Sequence, residues 1–86
     1  MILALTDKNG VEIPVGSVIY GPVPERQGRQ PSTEKHYFNF GYDPTGEEFE
    51  MIACTYGYVH NVQQSDLTNF EYIGPLKENL HLLECD

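Results

Sequence analysis

The sequence predicts a mainly β fold, either a small barrel or a curled antiparallel sheet, with a short C-terminal helical turn. Eight Gly and six Pro interrupt the 86 residues at short intervals. β-Branched and aromatic residues cluster between these breaks, as is typical of strands, and no long stretch repeats with the helical period of 3.6 residues. Because a chain of this length holds one hydrophobic core, residues 1–86 are expected to form a single domain.

The first quarter of the chain is predicted to form three short strands. Residues 1–5 are apolar, and residues 7–10 (DKNG) supply a turn because Asn and Gly tolerate positive φ. Residues 11–13 resume an extended segment, which Pro14 interrupts because proline cannot donate a hydrogen bond to a neighbouring strand. Residues 17–20 (SVIY) then have the composition of a strand.

A Pro-rich loop is predicted over residues 22–35, where three prolines lie among mostly polar residues without periodicity. Loops of this length in compact domains are usually functional or mobile. The loop contains Arg26, Arg29 and Lys35, which are three of the five cationic side chains. It is interpreted either as a plain flexible excursion or as a recognition element.

The clearest predicted element is a β-hairpin in the middle of the chain. The side chains that alternate onto one face of its first strand are His36, Phe38, Phe40 and Tyr42. Residues 43–46 (DPTG) match the preferences of a type I turn. On the return strand, residues 47–55, the apolar face is formed by Phe49, Met51 and Ala53. Glu48 and Glu50 fall on the other face, so this strand is expected to show acidic side chains to solvent.

The last third of the chain is predicted to contain further short strands and a helical turn. A strand over residues 69–73 is expected to stop at Gly74-Pro75, after a polar turn at residues 61–66. Three leucines then recur at the spacing of one helical face: Leu76, Leu80 and Leu83. A terminal strand through residues 80–83 is the alternative for this segment.

Residues 6–19 (TDKNGVEIPVGSVI) and 70–83 (FEYIGPLKENLHLL) carry patterns that resemble the opening and closing segments of the YopX-like family of phage and prophage proteins. The family opening reads Asp-Lys-Asn-Gly-Lys-Glu-Ile-Tyr-Glu-Gly-Asp-Ile-Val, whereas this chain has Pro14-Val15 for Tyr-Glu and Gly16-Ser17 for Gly-Asp. The resemblance covers about a third of the chain. It implies an SH3-like fold and a mobile-element origin, and it implies no catalytic residues.

The net charge of −8 arises entirely in the second half of the chain. Residues 1–42 hold four acidic and four basic residues, whereas residues 43–86 hold nine acidic residues and Lys77. This asymmetry predicts either a polarised surface that attracts a basic partner or a merely soluble acidic surface. The acidity argues against direct binding to nucleic acid or to an anionic membrane. No apolar run reaches the roughly 18 residues that cross a bilayer.

Neither catalysis nor a cofactor is indicated by the cysteine and histidine pattern. A Cys-His nucleophile would need Cys54 beside His36 or His60, but Cys54 follows apolar residues and is interpreted as a core thiol. A zinc site from Cys54 and the three histidines lacks any paired ligand spacing. Cys54 and Cys85 are expected to be free thiols in the reducing cytoplasm of a bacterial host.

These observations predict a non-catalytic phage or mobile-element protein without a cofactor that binds a host protein. An acidic face would mimic nucleic acid and occupy the basic channel of a nuclease or defence complex, as inhibitors of restriction, recombination or CRISPR effectors do. The predicted partner-binding residues are Asp43, Glu47, Glu48, Glu50, Glu71, Tyr56 and Tyr58. The alternative is a scaffold module whose specificity lies in the 22–35 loop, with Arg26 and Arg29 as contacts. An exposed edge strand could also form a homodimer.

Overall fold

The computed structural model describes residues 4–23, 34–53 and 57–83. Within these ranges the strands are β1 (Leu5–Thr6), β2 (Glu12–Ile13), β3 (Ser17–Pro22), β4 (Lys35–Tyr42), β5 (Phe49–Ala53), β6 (Gly57–Val59) and β7 (Glu71–Pro75). One α-helix, α1 (Leu76–Asn79), and 3-10 helices at Gln64–Leu67 and Leu80–Leu83 complete the described structure. None of the described helices is long and apolar enough to cross a membrane.

Five of the strands form one antiparallel sheet in the order β6-β5-β4-β3-β7, and β1 pairs with β2 in a separate two-stranded sheet. The prediction of a mainly β fold with a short C-terminal helical turn is confirmed. Because β6 and β7 are edge strands that do not pair with each other, the described residues form an open sheet rather than a closed barrel. The helical alternative for the last leucines is the one observed, and the terminal strand is not.

The predicted hairpin is the centre of the sheet. In the pairing of β4 with β5, Phe40 lies opposite Met51 and Tyr42 lies opposite Phe49, as the alternation of side chains predicts. β5 begins at Phe49 rather than at Glu47, because residues 43–48 form a longer turn than the four-residue turn predicted.

The hydrophobic core of the protein packs against one face of the sheet, which we call the core face. Its fully buried side chains include Ile19, Phe38, Phe40 and Met51. Leu67, the last residue of the first 3-10 helix, and Phe70, three residues after it, are also fully buried and belong to the same cluster. The Phe70 ring meets the Phe38 ring edge to face at 5.7 Å. Segments far apart in the chain therefore contribute side chains to a single hydrophobic core on this face.

Asp7 fastens the small sheet to the edge strand β7. Its carboxylate is buried, with only 5% of the residue exposed, and accepts the backbone N–H groups of Asn9 (2.8 Å), Val11 (2.9 Å) and Tyr72 (2.9 Å). Burial alone would raise the pKa of this carboxyl, but the hydrogen bonds from Tyr72, Val11 and Asn9 hold the pKa below its ordinary value. The sequence assigns Asp7 only to a turn.

The opposite face of the sheet, the second face, is partly covered by the C-terminal segment. α1 packs against β3 and β7, and the 3-10 helix that follows it packs against β4. Val18 is fully buried on this face. β7 continues to Pro75, which pairs with Ser17, and does not stop at Gly74 as predicted. An edge strand accommodates proline because its outer backbone groups face no partner.

Candidate partner-binding site

The acidic turn, residues 43–48, joins β4 to β5 and is held by hydrogen bonds that Asp43 mostly accepts. The Asp43 carboxylate accepts the Thr45 hydroxyl at 2.8 Å and the backbone N–H groups of Glu47 at 3.2 Å and Glu48 at 3.4 Å. The Asp43 N–H donates to the Glu48 carbonyl at 2.9 Å, and the Gly46 N–H donates to the Asp43 carbonyl at 3.0 Å. This network ties both ends of the turn to Asp43.

The acidic turn presents three carboxylates within six residues. The Thr45 hydroxyl and the backbone N–H groups of Glu48, Glu47 and Gly46 lower the pKa of Asp43, so this group stays ionised at neutral and mildly acidic pH. Glu47 and Glu48 are exposed to solvent. The structure therefore brings together Asp43, Glu47 and Glu48 from the predicted set.

Glu50 does not lie in that exposed group. It does fall on the face opposite Phe49 and Met51, as the alternation predicts, but only 9% of the residue is exposed. Its Oε2 lies 3.5 Å from Nδ1 of His60, the residue directly after β6. The expectation that Glu50 shows its carboxylate to solvent is therefore wrong, because the edge strand next to β5 brings His60 against it.

Glu71 lies on the far side of the sheet from the acidic turn. It belongs to β7, which β4 and β3 separate from β5, a distance of about 14 Å at three strand spacings. Its carboxylate lies 3.6 Å from the Lys8 ammonium. Glu71 and the acidic turn therefore do not form one continuous acidic face.

The remaining predicted contacts are divided between the β6 edge and residues that the structure does not describe. Tyr58 is 56% exposed on β6, and its ring stacks on His60 at 5.4 Å. Tyr56 lies outside the described residues, as do Cys54 and the two arginines of the alternative loop site, Arg26 and Arg29.

An apolar groove that the sequence does not predict lies at the same end of the sheet as the acidic turn. It has a volume of about 440 Å³ and is lined by Gly16, Pro75, Leu76, Lys77 and Leu80. Leu80 is 57% exposed, and the neighbouring Val15 is 44% exposed. The only sequence signal for this groove is the spacing of Leu76 and Leu80, which indicates a buried helical face equally well.

At the other end of the second face, an aromatic pair stands where the 22–35 loop rejoins the sheet. The Tyr20 and Tyr37 rings lie 4.4 Å apart, and the Lys35 ammonium lies 5.9 Å from the centre of the Tyr20 ring. Of these three residues only Lys35 belongs to the predicted 22–35 loop, and the structure places it as the first residue of β4 rather than in a loop.

Metal-binding geometry is not found in the described ranges, where no three His, Cys, Asp or Glu side chains converge. In the comparisons with known proteins, no family model, no curated protein and no solved structure matches this chain. The relationship to the YopX-like family therefore stays a prediction that rests on residues 6–19 and 70–83 alone.

Proposed function

We propose that this chain is a non-catalytic protein of a phage or other mobile element that binds a basic surface of a host protein. The acidic turn takes the place of nucleic-acid phosphates on that surface. The observation that supports this proposal is the Asp43 network, which holds the backbone of Glu47 and Glu48 in place while their side chains face solvent.

Fixing the turn before binding favours this function for a physical reason. Ordering a loop or long side chains at an interface costs free energy, and a turn that is already ordered avoids part of that cost. Carboxylates that protrude together also attract a basic partner at long range and raise the association rate. The net charge of −8 on the whole chain adds to this attraction.

The double variant Glu47→Gln/Glu48→Gln is expected to weaken partner binding about tenfold and to reduce its salt dependence, because two protruding charges are removed. The matched control is Glu12→Gln/Glu71→Gln, which removes the same charge from the β1–β2 hairpin and from β7. The partner is isolated by affinity capture from a bacterial lysate, and dissociation constants are then measured at several NaCl concentrations.

Two results would contradict the proposed function. If both double variants weaken binding equally, net charge rather than the acidic turn determines the affinity. If the captured partner has no basic surface and its binding is independent of salt, the carboxylates do not replace phosphates.

The alternative function, a scaffold module that binds through the 22–35 loop, is favoured by the Tyr20, Tyr37 and Lys35 cluster. Aromatic rings beside a cation are suited to an interface. Scrambling residues 24–33 distinguishes the two functions, since unchanged partner binding would exclude the loop as the specificity element.

A further inference from the structure

We propose that the apolar groove receives one apolar side chain of the partner that the acidic turn attracts. The recognised element is a short basic segment in which Lys or Arg residues flank a single Leu-like anchor. This inference rests on the proposed function, because it takes the partner to be basic, and it adds the feature that gives specificity.

Backbone hydrogen bonds place the groove and the acidic turn at one end of the sheet. The Gly16 N–H donates to the Phe40 carbonyl at 2.9 Å, and the Leu76 N–H donates to the Gly16 carbonyl at 2.8 Å. The groove lining is thus tied directly to the last residues of β4. Asp43 follows Phe40 by three residues, about 10 Å along an extended strand.

Apart from the exposed Lys77, the side chains that the groove and its neighbourhood show to solvent are apolar. Leu80 is 57% exposed, and Val15 is 44% exposed and lies beside Gly41 of β4. The groove volume of about 440 Å³ falls within the range of small-molecule binding sites. An apolar group that enters the groove would remove this surface from water.

Charge favours a basic partner over a second copy of this chain as the occupant of the groove. Each copy has a net charge of −8, and the acidic turn lies at the same end of the sheet as the groove, so two copies meeting there would bring like charges together. A basic segment is attracted to the same place. Lys77, the cation of the lining, can donate to a backbone carbonyl of that segment.

Two synthetic peptides test the inference: capped Lys-Arg-Leu-Arg-Lys and its match with Ser in place of Leu. Five extended residues span about 17 Å, enough to reach from the groove to the turn. Amide chemical shifts are followed during titration. The Leu peptide is expected to shift the amides of Gly16, Lys77 and Leu80 and to bind at least about fivefold more tightly than the Ser peptide, as expected for one buried apolar side chain.

Substitutions at exposed positions test whether the tighter binding of the Leu peptide depends on the groove. Leu80→Gln and Leu80→Ala are expected to reduce the preference for the Leu peptide to less than about twofold. Val11→Gln is the matched control, since Val11 is 44% exposed on the β1–β2 turn, and it should leave the preference intact. Glu47→Gln/Glu48→Gln should weaken both peptides in parallel.

The outcomes separate this inference from the proposed function. Equal affinity of the two peptides, with shifts confined to residues 43–48, would overturn the groove and leave the acidic turn as the binding site. The absence of shifts at both places would overturn both. Sedimentation that shows a dimer dissociated by Leu80→Gln would assign the groove to a second copy and overturn the basic segment.

Discussion

Asp7→Asn is expected to lower the free energy of unfolding by about 3 kcal/mol at pH 7, since buried N–H donors would lose their carboxylate acceptor. The wild-type carboxylate accepts three backbone N–H groups. An asparagine of the same shape has one acceptor oxygen, and its amide NH2 would face either Tyr72 N–H or the N–H groups of Asn9 and Val11. A domain of this length has about 4–13 kcal/mol of stability in total, so the loss is a large fraction.

The effect of Asp7→Asn is expected to depend on pH in a defined direction. The pKa of Asp7 is lower in the folded protein than its ordinary value of 3.8. Its stabilising contribution is therefore complete above the unfolded pKa and is lost as the pH falls through the folded pKa. The difference in stability between wild type and variant should narrow below about pH 4.

Urea unfolding at pH 7, 5, 4 and 3 measures this difference directly. The control is Glu12→Gln, a neutral substitution at an exposed carboxylate near Asp7 in the chain, which should change stability little. A difference between wild type and Asp7→Asn that stays constant across the acid range would show that the charge of Asp7 does not stabilise the fold.

Gly21→Ala is expected to lower the free energy of unfolding by about 1–3 kcal/mol through overpacking. A Cβ at this position would lie 2.7 Å from Cγ and 2.8 Å from Cδ2 of Phe70, and 3.0 Å from the Asn69 carbonyl oxygen. Phe70 is fully buried and packs against Phe38, so its ring has little room to withdraw.

Gly41→Ala is the matched control, because Gly41 also lies within a strand of the main sheet. A Cβ there would meet only Val15 Cγ1, at the ordinary contact distance of 3.9 Å. This substitution is expected to be neutral or to stabilise by about 0.5 kcal/mol, by restricting the unfolded chain. The free energies of unfolding of both variants are measured by thermal and urea unfolding. Equal destabilisation by the two substitutions would show that contact with Phe70 is not the reason for glycine at position 21.

The sequence predicts those features whose determinants are local. The alternation of Phe38 and Phe40 with polar residues, followed by Asp43-Pro44-Thr45-Gly46, indicates the central hairpin because both signals lie within a few residues of the structure they specify. The spacing of Leu76, Leu80 and Leu83 indicates a helical turn in the same way. The acidic turn could be predicted for this reason too.

The burial of Glu50 could not be predicted from its neighbours in the sequence. Alternation places it correctly on the second face, but whether that face is open to solvent depends on β6 and His60, which pack beside it. Charge alone groups Glu71 with the acidic turn, although strand order puts it across the sheet. The alternation of side chains within one strand does not determine which strands pair with it.

The sequence by itself thus determined the mainly β fold, the central hairpin and the three carboxylates of the acidic turn. The tertiary structure decided that Asp7 bonds to Tyr72, 65 residues away, and that Gly16 and Leu80 line one groove. The physical reason is distance along the chain. Propensity and periodicity act over a few residues, whereas burial and shared hydrogen bonds depend on which remote segments the sheet brings together.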